Sequence, residues 1–190
     1  MAVDRLPNSF QGLPLHALIV HFTVVGLPLT TLALVLSAFS DRLRTRLGIV
    51  LPAAGLVSLA LVVVSLNTGG TLKSHVYNTV NGPIILRHQH AAEQLIPWSA
   101  ALALMSIAVY VLGRRGRGRP VGSVGAATTA VRPRSSVRPR SVASVVVAVL
   151  ATVVAVGTAV QVTYVGHLGS EAVWNGYSKL PLQKDVPGGN

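Results

Sequence analysis

Residues 13–39 read LPLHALIVHFTVVGLPLTTLALVLSAF, a run without a single Asp, Glu, Lys or Arg. A helix needs about 20 apolar residues to cross the hydrocarbon core of a bilayer, and this block exceeds that length. Ala38 and Ser40 ahead of Asp41 loosely resemble a leader-cleavage site. The apolar stretch is nevertheless far longer than the roughly 7–15 residues of a signal core, so the block reads as a retained membrane span.

Three further blocks repeat the pattern downstream: Leu47 to Leu66, Ile96 to Leu112 and Val142 to Val165, again free of Asp, Glu, Lys and Arg. The third run is short, and Ala91 and Ala92 extend its helix upstream. The expected fold is therefore all-α, a single integral membrane domain over residues 1–190. It is a bundle of four transmembrane helices at about 13–39, 47–66, 91–112 and 142–166. Composition agrees. Only 11% of the 190 residues are charged and mean hydropathy is +0.58, whereas a soluble domain carries roughly a quarter charged residues. The remaining apolar surface must meet lipid.

The net charge of +11 invites a nucleic-acid reading. Its distribution argues against one. Arg42, Arg44 and Arg46 stand between the first two blocks. Arg114, Arg115, Arg117, Arg119, Arg132, Arg134, Arg138 and Arg140 stand between the last two, among Pro, Gly and Ser. Membrane proteins keep such short basic clusters in cytoplasmic loops, where anionic headgroups attract them. The other connections and ends hold only Arg5, Lys73, Arg87, Lys179 and Lys184, diluted by Asp4, Glu93, Glu171 and Asp185. The expectation is a multi-pass protein of the bacterial cytoplasmic membrane with both termini extracytoplasmic and no nucleic-acid partner. Residues 113–141 are expected to form a disordered cytoplasmic linker.

All six histidines then fall toward one face of the membrane. His16 and His21 lie in the first span, His75, His88 and His90 between the second and third, and His167 at the close of the fourth. An ionisable group within an apolar span is costly and usually faces the bundle interior, which singles out His21. A five-residue separation turns a helix by about 140°, so His16 and His21 do not chelate one ion. His90 and Glu93, three apart on a helix, share a face and form a candidate metal pair.

With no cysteine, thiolate-ligated clusters and c-type haem are excluded. Imidazoles converging from different helices of a bundle remain a route to b-type haem. The candidate cofactor residues are His16, His21, His90 and His167, with Arg87 placed to meet a haem propionate.

The stretch Leu15-His16-Ala17-Leu18-Ile19-Val20-His21-Phe22-Thr23 resembles the opening of a bacterial membrane family catalogued as domain of unknown function 2231, with Ala17 and Thr23 where prolines usually stand. The likeness continues at Arg87 to Ala91, with His90 as the match to a histidine entering the third helix. It closes at Gly166-His167-Leu168-Gly169. The resemblance implies no established activity. A redox setting is suggested by members that look fused to Rieske domains.

Three functional classes fit the residues. The first is a haem b electron-transfer module working with a redox protein on the outer face. The second is a divalent-metal-binding membrane protein. The third is a non-redox membrane subunit or accessory protein whose histidines serve packing or proton sensing.

Overall fold

A computed structural model describes residues 9–10, 13–76, 82–115 and 141–174. Two short strands, β1 (Ser9–Phe10) and β2 (Leu13–Pro14), pair antiparallel ahead of six helices. These are α1 (Leu15–Phe39), α2 (Asp41–Leu47), α3 (Val50–Val76), α4 (Gly82–Glu93), α5 (Leu95–Arg115) and α6 (Val142–Trp174). Four segments are long and apolar enough to cross a membrane: α1, most of α3, α4 continued by α5, and α6. The protein is an all-α membrane bundle.

The long helices close into a ring in which α1 touches α3 and α6, and α5 touches the same two. Leu27, Leu34, Val62, Leu102, Val109 and Ala151 fill the centre. Leu29, Leu32, Leu56, Leu104, Val149, Val153 and Val160 lie exposed on the outside. An apolar exterior of that extent suits acyl chains rather than water.

Small residues set how closely the helices approach. A Cβ added at Gly55 would stand 2.9 Å from the Ala103 Cα, so α3 and α5 touch through backbone. At Gly157 the space of a side chain is taken by the Trp98 indole, which would lie 2.1 Å from an added Cβ.

Hydroxyls fasten α1 to α3. His16, Thr23, Thr30 and Ser37 recur every seven residues along α1, and the last three are buried. Thr23 Oγ1 meets Ser65 Oγ at 2.9 Å, and Thr30 Oγ1 meets Ser58 Oγ at 3.0 Å. Seven residues forward on α1 thus correspond to seven backward on α3, the mark of antiparallel helices packed at a coiled-coil repeat. That register brings Leu51 opposite Ser37, whose hydroxyl is buried without a hydrogen-bond partner among the described residues.

Helix boundaries differ from the hydropathy reading in four places. The loop expected between the first two spans contains α2, and the second span begins at Val50 rather than 47. Ser40 in extended conformation caps α2 through its hydroxyl, and Gly48 ends it at φ 45°. The second span also runs on to Val76 past the polar residues after Leu66. Asn67, Thr68 and Thr71 bond back to carbonyls of their own helix, which hides their polarity. The third span starts at Gly82 rather than 91, because α4 packs its Ile84 and Ala91 face inward. The fourth continues from 166 to Trp174. The linker expected over 113–141 lies outside the described residues apart from its edges.

Candidate two-histidine site

Two imidazoles enter the bundle at the same end, and both dock in the same way. His16, at the start of α1, has Nδ1 3.0 Å from the carbonyl oxygen of Ser65 on α3 and 3.4 Å from Thr68 Oγ1. His88, on α4, has Nδ1 3.1 Å from the carbonyl oxygen of Val165 on α6. In each case the residue one turn beyond the accepting carbonyl is glycine. A Cβ at Gly69 would stand 3.0 Å from His16 Cε1, and one at Gly169 would stand 3.1 Å from His88 Cε1. The glycines leave the notch into which each ring edge fits.

Chemistry follows from those bonds. A carbonyl oxygen only accepts, so Nδ1 carries the proton and the neutral ring keeps its lone pair on Nε2. A histidine so oriented by a backbone carbonyl is prepared to ligate through Nε2. Both rings are half-buried.

The other candidates sit differently. His21 is exposed, and its Nδ1 bonds the carbonyl of Ala17 in its own helix. The 140° turn that separates it from an inward His16 carries it to the outer surface. His90 is exposed, and its Nδ1 lies 3.9 Å from a carboxylate oxygen of Glu93, itself exposed, on α4. Glu93 also accepts from Gln89 Nε2 at 2.9 Å, and Gln89 Oε1 accepts from Lys73 Nζ at 2.8 Å. Among the described residues no three His, Cys, Asp or Glu gather as a metal cluster. Arg87 and His167 are exposed, and the side chain of His75 lies outside the described residues.

His88 is the residue the sequence reading left out of the site. Its signal was present in the period of α4. Ile84, Ala91 and Leu95 are buried at steps of four or three, and His88 is the polar member of that stripe, whereas His90 falls two residues off it.

The stripe on α6 that receives α4 and α5 is equally regular. Gly157 lies under Trp98. One turn on, Gln161 donates from Nε2 to the Ala91 carbonyl at 2.8 Å. Val165 accepts from His88 and Gly169 clears its ring.

These features define an integral membrane protein with four spanning helices and two inward histidines at one end. The chain belongs to the predicted membrane protein family DUF2231, whose model matches residues 12–178. No curated protein and no solved structure matches it.

Proposed function

We propose that this protein is a b-type haem electron-transfer module in which His16 and His88 supply the two axial nitrogens. The observation that carries the reading is the shared docking of both rings, Nδ1 on a helix carbonyl and Nε2 without a partner among the described residues. Two imidazoles without a thiolate match the donor set of a bis-histidine haem. Haem would supply one-electron chemistry. The chain's part is to hold the rings, fix their tautomer and surround them with an apolar bundle. Arg87, beside His88 and exposed, is the residue for a propionate. His21, His90 and His167 stand outside this ligand set, and His90 with Glu93 offers a divalent ion only two exposed groups.

The histidine end faces outward in this reading, with the arginine end in the cytoplasm and both termini outside. Eleven basic residues against five support that orientation. A redox protein would then exchange electrons at the outer face.

Purified protein tests the proposal. A six-coordinate, low-spin haem gives a Soret band, sharp α and β bands on reduction, and no rapid change with carbon monoxide. A protein that stays colourless and shows no Soret shift on reconstitution with haem defeats the reading and leaves an accessory subunit in its place.

A further inference from the structure

At the end of the bundle opposite the histidines, α2 lies as a separate turn between the Ser40 break and the Gly48 turn. Its three arginines divide by role. Arg44 is consumed internally. Its Nε donates to the Ser37 carbonyl at 3.1 Å and its Nη2 to the Ala38 carbonyl at 2.9 Å, closing the carboxyl end of α1. Nη1 pairs with Asp41 at 3.2 Å, and the aliphatic stem packs over Gly113 of α5, where an added Cβ would stand 2.7 Å from Arg44 Cδ. The one acid on α2 is thereby engaged.

Arg42 and Arg46 project the other way. They are four apart on α2, share one face, and are exposed with no ion-pair or hydrogen-bond partner among the described residues. Around them stand exposed apolar groups on both sides of α2: Phe39, Ile49 and Val50. Arg114 at the end of α5 is also exposed, its Nη1 donating to Tyr110 Oη at 3.1 Å. Unpaired guanidinium groups next to exposed apolar side chains match the two halves of an anionic lipid, phosphate and acyl chain. A free phosphate would use only the first half.

We infer that the α2 corner is a binding site for anionic phospholipid, Arg42 and Arg46 holding the headgroup phosphate while Phe39, Ile49 and Val50 lie against the chains. Guanidinium suits this task because its planar fork pairs with phosphate oxygens through two hydrogen bonds at once. Arg44 holds α2 against α1 and α5, so the two outer arginines are presented from a fixed base. Each should be worth about a fivefold gain in affinity for an anionic surface.

Native mass spectrometry of the full chain in neutral detergent reads this directly, with phosphatidylglycerol and phosphatidylcholine added in turn. Retention of phosphatidylglycerol alone, with adducts falling on the order of twenty-fold in Arg42→Gln/Arg46→Gln but not in Lys184→Gln, is the expected result. Undiminished adducts in the double variant would assign the lipid to the other arginines and overturn the site. Loss in Lys184→Gln to the same degree would show mere net charge at work, and displacement by millimolar inorganic phosphate would remove the lipid specificity. Arg42→Lys/Arg46→Lys keeps charge but not the fork, and should recover only part of the binding. Full recovery contradicts bidentate phosphate capture.

Discussion

Gln161 Nε2 donates to the carbonyl of Ala91 one turn along α6 from the carbonyl that accepts His88. The bond falls where α4 ends and α5 begins. Pro97 has no N–H to give to the Glu93 carbonyl, and the helix is interrupted at Gln94. Gln161 ties the last turn of α4 to α6 beside that break, and so holds α4 with His88 against α6.

Gln161→Leu is therefore expected to lower stability by about 1 kcal/mol, since it removes a part-buried hydrogen bond between α4 and α6. The thermal midpoint in detergent should fall, and amide exchange should speed up within α4 while α3 stays protected. Uniform acceleration across all helices would mean that Gln161 serves the whole bundle instead.

Histidine substitution separates the inward pair from the outward three. His16→Ala or His88→Ala should each abolish haem absorbance at unchanged monodispersity. His21→Ala, His90→Ala and His167→Ala should keep it. Retention in His88→Ala, or loss in His21→Ala, would place the ligands elsewhere.

Glycine-to-alanine variants should rank by the space each Cβ meets. Gly157→Ala pushes into the Trp98 indole at 2.1 Å and should cost about 1–3 kcal/mol. Gly69→Ala and Gly169→Ala meet an imidazole at 3.0 and 3.1 Å. They should displace that ring and broaden any haem spectrum with a smaller loss of stability. Gly70→Ala and Gly166→Ala meet nothing within 4 Å and should stabilise by up to about 1 kcal/mol through helix propensity. Equal effects at all five would contradict the packing described.

The hydroxyl seam can be measured by a double-mutant cycle. Thr30→Val and Ser58→Ala remove a buried pair at 3.0 Å, and a coupling of about 0.6 kcal/mol is typical of such bonds between membrane helices. Thr163, which bonds the Ala159 carbonyl of its own helix, should show no coupling to Ser58.

Orientation is accessible because the chain has no cysteine of its own. In intact cells Ser141→Cys should be shielded from an impermeant maleimide and Ser170→Cys should react. The opposite pattern would turn the histidine end to the cytoplasm.

Four spans were legible because lipid imposes a length and a composition that survive without any contact information. Depth along each helix was legible too, so the histidines were assigned to one end. Direction around the helix was missed on α1. His21 was favoured for its depth, yet the inward face of α1 is marked by His16, Thr23, Thr30 and Ser37 at seven-residue steps, and His21 lies off that line. The boundaries that moved, at Val76, Gly82 and Trp174, moved where polar side chains bond to helix carbonyls or where α4 finds a partner in α6. Such satisfaction is invisible to a hydropathy count. Along α4 and into α5 the stripe of Ile84, Ala91 and Leu95 was readable, and His88 lay on it.

The seven-residue series on α1 has a mechanical consequence. Sliding α1 by one turn against α3 would part Thr23 from Ser65 and Thr30 from Ser58, giving up both hydroxyl bonds across the seam. The depth of His16 is thereby locked, as a keyed shaft is locked in its sleeve. His88 is held by a short helix with a break at one end and two side-chain bonds on its flank. One jaw of the two-histidine grip is stationary, and any opening or closing belongs to the other.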